Sequence, residues 1–247
     1  MREKTLGGIK VSDGLNVTET AKDGTYTLPG HARQRFIFIT TPSGYKTLNK
    51  HYHKIDSRTN GYDVGLLTYH PGIGKDGSHQ YVHVSDTEIF NTEGNEAWVK
   101  NIREYAANEN AAFIIHTGDI CYENGMKKHI KLMNTENMNV PVFYCIGNHD
   151  LVKGKYGEEV FENNYGPVYY SFDVANVHYI VTPMPGGDHK PGYTRLDVCR
   201  WLKNDLAHIK PGTPIVVFNH DILTYGDEFI YKGSETESID LNKHNLK

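Results

Sequence analysis

The 247-residue chain suits one or two domains and is long enough to bury about 70–75% of its extended surface. Lys+Arg 26 against Asp+Glu 30 leaves a formal net charge of −4, with 38% hydrophobic and 23% charged residues, a composition that excludes disorder, collagen and coiled coil. No apolar run approaches the roughly 18 residues of a membrane span, the start Met1-Arg2-Glu3-Lys4-Thr5-Leu6 lacks the apolar core of a signal peptide, and no basic run exceeds Lys127-Lys128, so neither a membrane span nor nucleic acid is indicated. Cys121, Cys145 and Cys199 stand at wide spacings that form neither a disulfide framework nor a zinc motif, and are expected as free, buried thiols.

Residues 1–70 read as all-β. Ile9 to Val11, Asn16 to Thr20, Thr25 to Leu28 and Phe36 to Thr40 are short runs rich in β-branched and aromatic residues, separated by Asp13-Gly14, Asp23-Gly24 and Pro29-Gly30. Asp followed by Gly supplies the positive φ of a two-residue hairpin, so the spacing predicts a small antiparallel β-sandwich without a cluster of catalytic groups. Pro71 to Ser78, between His70 and His79, has no periodicity and predicts a linker over 71–79.

From residue 80 to 247 strand and helix alternate, the pattern of a layered α/β domain with mixed sheets and flanking helices. Gln80 to Val84 predicts a strand; Trp98, Val99, Ile102, Tyr105 and Ala106 recur at helical spacing; Ala112 to Ile115 and Val140 to Ile146 predict buried strands. Ser171 to Val174 and Val177 to Val181 form a hairpin through Ala175-Asn176; Leu196, Cys199, Leu202, Leu206 and Ile209 form a helix stripe; Pro214 to Phe218 is a further buried strand.

Four of these strands run out into polar groups able to bind a metal or move a proton: Ser85-Asp86-Thr87-Glu88, His116-Thr117-Gly118-Asp119, Gly147-Asn148-His149-Asp150 and Asn219-His220-Asp221. In open α/β sheets the ligand crevice lies beyond the carboxyl ends of the strands, so the four endings aim at one region. Carboxylates, an amide oxygen and imidazole make a mixed oxygen and nitrogen set suited to manganese, iron or zinc rather than to a thiolate-loving metal or an all-oxygen calcium cage. Single endings of this kind are usually helix caps or turns; together they point to metal chemistry.

On Asp86-x-Glu88, Gly118-Asp119, Gly147-Asn148-His149-Asp150 and His220, in that order, the chain from about Gln80 onward resembles the calcineurin-like metallophosphoesterases. The leading segment, with Val11-Ser12-Asp13-Gly14 and Lys22-Asp23-Gly24-Thr25-Tyr26, is similar to the β-sandwich that precedes this domain in a group of bacterial, often exported, members, which implies a periplasmic or exported setting. The resemblance implies two metal ions, with Asp86 and Glu88 on the first, Asp119 bridging, and Asn148 and His220 on the second. It further implies hydrolysis of a small-molecule phosphate mono- or diester by a hydroxide held between the metals, with His149 serving the leaving oxygen. The alternative from another functional class is a metal- or ligand-binding module that keeps the fold without turnover.

Three positions depart from the family pattern. Glu88 stands where a His is usual, which adds negative charge and favours harder ions. Tyr122, followed by Glu123, replaces the Asp that in many members orients the catalytic His, which leaves Tyr122, Glu123 or neither to orient His149. No Gly-His-x-His segment follows His220 before Lys247, and the start falls within the expected first sandwich strands, so the chain is expected to be a fragment, incomplete at both ends, with weak metal binding and little or no turnover in this form; His244, with nothing to place it at a strand end, is not expected to substitute. His116 is expected as a core or ligand-supporting histidine, His189 as an exposed loop residue, and Tyr165, Tyr169, Tyr170 and Tyr193 as packing residues.

Overall fold

In the computed structural model, which describes residues 4–89, 94–120 and 122–221, the N-terminal part is antiparallel β throughout. It contains β1 (Lys10–Ser12), β2 (Val17–Glu19), β3 (Phe36–Ile39), β4 (Tyr45–Thr47), β5 (Tyr52–Lys54) and β6 (Leu66–Thr68), arranged as one sheet of order β2-β1-β3-β5 and a separate pair β4-β6. The central strand explains why Phe36-Ile37-Phe38-Ile39 is apolar at every position. Alternate side chains of a strand face opposite ways, and here Phe36 and Phe38 enter the main core while Ile37 and Ile39 join Val11 in a smaller cluster on the other face.

The N-terminal sheet therefore shares its core with the rest of the chain. Phe38 lies 6.4 Å from Trp201, Thr41 forms an isolated parallel bridge with Phe172, the Tyr169 hydroxyl donates to the Gly14 carbonyl, and the Asn204 amide donates to the Leu15 carbonyl. Two turns differ from the sequence expectation. The β1–β2 connection is a four-residue loop, Asp13 to Asn16, because the Asp13 carboxylate accepts the N–H groups of both Leu15 and Asn16. Thr25 to Leu28 makes no ladder: the Thr25 N–H is taken by Asp23, while Tyr26 and Leu28 pack as side chains in the smaller cluster.

The remainder is a mixed α/β fold. β7 (Val82–Val84), α1 (Asn95–Asn108), β8 (Ile114–His116), α2 (Glu123–Leu132), α3 (Thr135–Met138) and β9 (Val142–Tyr144) build a parallel sheet of order β7-β8-β9. After α4 (Glu159–Tyr165) come β10 (Tyr170–Val174), β11 (Val177–Val181), α5 (Arg195–Leu206) and β12 (Ile215–Phe218), with β10-β11 antiparallel and β11-β12 parallel. Phe113, Phe143, Phe172, Tyr179 and Phe218 form the aromatic centre between the two sheets, with Phe143 stacked on Phe172 at 3.7 Å. The Thr194–Asp197 capping box starts α5, whose buried face, Val198, Cys199, Trp201, Leu202, Asp205 and Leu206, covers the second sheet. Cys145 and Cys199 are free and buried; Cys121, His244 and the segment around it lie outside the described residues. No helix of the described residues is long and apolar enough to cross a membrane.

A partly buried ionic chain joins the N-terminal sheet to this part. Lys10 pairs with Asp173 at 2.9 Å, Asp173 with His178 Nδ1 at 2.6 Å, and His178 Nε2 with Asp205 at 2.8 Å. Burial alone would depress the His178 pKa, but Asp205 and Asp173 outweigh it and push the value up to about 9. The native state therefore holds a proton here that the unfolded chain releases above its ordinary 6.5. The stabilisation is complete below that value and is lost as pH rises through about 9. Urea melts of wild type should show stability falling across this window, and His178→Gln should flatten that part of the profile.

Candidate metal centre

The register Val82↔Ile114↔Val142 and Val84↔His116↔Tyr144 brings β7, β8 and β9 to a common carboxyl edge, and β12 ends beside β11 with Val181 opposite Phe218. Beyond that edge the first two endings stay paired: Asp86 N–H donates to the Gly118 carbonyl at 3.0 Å, Glu88 N–H to Asp119 at 3.1 Å and Ile89 N–H to Ile120 at 2.8 Å. Three of the sequence-predicted ligands occupy left-handed backbone, Asp86 at φ 53°, Glu88 at 40° and Asp119 at 49°. Such residues cost about 1–3 kcal/mol each and persist where the surroundings over-determine them.

The donors form two triplets with Asp119 in both. Ligating atoms of Asp86, Asp119 and His220 lie within 4.8 Å of one another, and so do those of Glu88, Asp119 and His149. This grouping differs from the one the resemblance implies, because Asp86 and Glu88 fall into different triplets with Thr87 between them. Asn148 stands next to the first group, its Oδ1 3.1 Å from His220 Nε2. His220 donates Nδ1–H to the Thr117 carbonyl at 2.9 Å, which leaves Nε2 facing Asn148 Oδ1 and, at 3.4 Å, Asp119 Oδ2. A ring nitrogen anchored on one side and surrounded by acceptor oxygens on the other is poised for a cation. Burial works against protonation of His220, yet the Asp119 carboxylate pushes its pKa up to about 9. The donor set thus fits two metal ions: an exposed Asp86 and Glu88, a buried Asp119, and half-buried Asn148 and His220, with half-buried His149 beside them.

Two glycines make this approach possible. A Cβ on Gly118, at φ 105°, would stand 2.6 Å from the Gly147 nitrogen, and one on Gly147 would stand 2.2 Å from the Asp119 nitrogen and Oδ1. Asp150, fully buried, clamps the same two loops by accepting Ile120 N–H at 2.9 Å and Gly147 N–H at 2.8 Å.

His149 is oriented by a residue the sequence reading did not single out. Its Nδ1 lies 3.0 Å from Asp188 Oδ2, and the Asp188 N–H donates to the Asn148 carbonyl at 3.1 Å. Asp188 is the leading cause of a raised His149 pKa. Gly187 permits the contact, since a Cβ there would meet the Asn148 carbonyl oxygen at 2.3 Å. The signal was the Gly186-Gly187-Asp188 turn after a buried strand, but nothing in its spacing tied it to His149. Tyr122, at the usual position of the orienting Asp, is exposed with its ring 5.8 Å from that of His149; the Glu123 side chain lies outside the described residues. His189 is an exposed loop residue and His116 is fully buried.

Residues 79–247 match the family model of the calcineurin-like phosphoesterases, and residues 1–66 match the model of the N-terminal part of calcineurin-like phosphoesterase. The chain belongs to the calcineurin-like phosphoesterase family. None of the curated proteins compared matches it. Among solved structures it is similar to a dimetal phosphatase from Danio rerio, at 11% identity and TM-score 0.40 over 57% of this chain and 68% of the other. It is also similar to a purple acid phosphatase from seeds of yellow lupin (Lupinus luteus), at 15% identity and TM-score 0.42 over 95% of this chain and 50% of the other. The chain thus spans half the length of the lupin enzyme.

Proposed function

We propose that this protein hydrolyses small-molecule phosphate mono- or diesters with two metal ions, of manganese, iron or zinc, held by Asp86, Glu88, Asp119, Asn148 and His220. The observation that carries this reading is the membership of Asp119 in both donor triplets. Metal ions bound there would supply Lewis acidity to the phosphoryl oxygens and acidify a water for in-line attack. The chain's own groups do the rest. Asp119 stays ionised because bonds from His220 and from the His149 N–H, at 3.0 Å, outweigh the burial that opposes its charge. Asp188 accepts from His149 Nδ1 and favours the protonated ring, whose Nε2–H, 4.0 Å from Asp119 Oδ2, is the proton for the leaving oxygen. Glu88 in place of a neutral imidazole adds negative charge and favours a hard ion on its side.

The test is turnover of p-nitrophenyl phosphate and bis(p-nitrophenyl) phosphate by the chelated protein, then after adding Mn²⁺, Fe²⁺ or Zn²⁺. Metal-restored hydrolysis supports the reading; stoichiometric metal binding with no turnover of either ester would make the protein a binding module on this fold. Asp188→Asn should leave metal content unchanged and lower kcat by about 10- to 100-fold, part of the 10²–10⁴ that a well-placed acid supplies. An unchanged kcat would remove Asp188 from the account.

A further inference from the structure

We propose that His116 is a positioning residue that locks the loop carrying Asp86 and Glu88 to the loop carrying Asp119 through a hydrogen-bond relay from Gly118 by way of Thr87 to Ile120. It rests on the reading of those three carboxylates as metal ligands. His116 is the last residue of β8 and is fully buried. Its Nδ1 accepts the Gly118 N–H at 3.2 Å, its Nε2 lies 2.9 Å from Thr87 Oγ1, and the Thr87 hydroxyl donates to the Ile120 carbonyl at 3.2 Å. These contacts leave one consistent assignment. Nδ1 accepts only when it carries no proton, so the neutral ring has its hydrogen on Nε2. The Thr87 hydroxyl, whose hydrogen goes to Ile120, is then the acceptor for it. Burial, with His129 packed edge-on at 5.2 Å, keeps the ring neutral.

The relay ends on the residues that flank the ligands. Thr87 separates Asp86 from Glu88, while Gly118 and Ile120 bracket Asp119. Main-chain bonds from Asp86, Glu88 and Ile89 already join the loops, but none of them involves Thr87. The imidazole supplies the missing constraint between two left-handed ligands, Asp86 and Glu88. Residues in such conformations hold their geometry only when every neighbour is fixed.

Nitrogen NMR of the full chain should show His116 protonated on Nε2 and unprotonated on Nδ1; the opposite tautomer would overturn the relay. Thr87→Val, nearly isosteric, removes both hydrogen bonds of the hydroxyl, whereas Thr87→Ser keeps them. Titration calorimetry with Mn²⁺ alone should find affinity in Thr87→Val weakened by about 10- to 100-fold, the usual cost of losing a support behind a ligand, and restored in Thr87→Ser. Thermal melts of the metal-free variants separate this from a packing role. A lowered Tm with unchanged Mn²⁺ affinity would overturn the proposal. If wild type itself fails to bind Mn²⁺ in the calorimeter, the metal-centre reading falls and this proposal with it.

Discussion

Asp119→Asn should cut turnover by at least about 10²-fold, roughly 2.7 kcal/mol of barrier, and lower bound metal below the wild-type content. The carboxylate is buried and faces both triplets, so its charge serves two sites and no neighbouring group can move into its place. An asparagine can keep its oxygen toward the His149 N–H, at 3.0 Å, but the group it then turns toward His220 Nε2, at 3.4 Å, is an uncharged NH₂ that offers a metal no ligand. Steady-state turnover and metal analysis of the variant check this. Retention of more than about a tenth of the activity, a loss under roughly 1.4 kcal/mol, would falsify the shared role.

Arg35→Ala should have the largest effect on stability. Arg35, beside β3, reaches Glu158 at 2.7 Å and Glu162 at 2.8 Å, with its guanidinium 4.4 Å above the Tyr156 ring. Both carboxylates are buried, and Glu158 also accepts the Gly192 N–H, at the end of the loop that carries Asp188. Removing one partner of a buried pair costs about 3–5 kcal/mol; with the Arg35 side chain 29% exposed, about 2–3 kcal/mol is expected, a Tm loss of roughly 5–10 °C. Burial raises the Glu162 pKa to about 7 from an ordinary 4.5, even against the opposing pull of Arg35. The native state thus holds the extra proton, and stability declines as pH rises through that window. Without Arg35 the decline should steepen, and adding Glu162→Gln should recover part of the loss. Melts of the single and double variants at acid and neutral pH measure this; equal Tm values for wild type and Arg35→Ala would show the pair to be solvated.

The candidate ligands stand out in the sequence because each follows a short apolar strand, and strand ends are where side-chain chemistry collects. β7, β9 and β12 each lie within a predicted run, β8 extends one residue past its run to His116, and the β10–β11 hairpin turns at Ala175-Asn176 as expected. β4, β5 and β6 escaped because Tyr45-Lys46-Thr47, Tyr52-His53-Lys54 and Leu66-Leu67-Thr68 are three-residue strands with no alternation to detect. α2 escaped because Gly125 falls in its first turn and its N-cap, Tyr122, makes no side-chain capping bond. The contacts of Asp188 with His149 and of His116 with Thr87 are tertiary, 39 and 29 residues apart in sequence. No local pattern encodes such pairings. Likewise, no local pattern shows that Phe36, Phe38 and Tyr52 of the N-terminal part join the main core.

Anomalous diffraction from crystals of the full chain soaked in Mn²⁺ tests the central claim most directly. The account predicts two peaks, one among Asp86, Asp119, Asn148 and His220 and the other beside Glu88 and Asp119, with the Asp119 carboxylate touching both and His149 bound to neither. A single peak, or two of which only one touches Asp119, would contradict it.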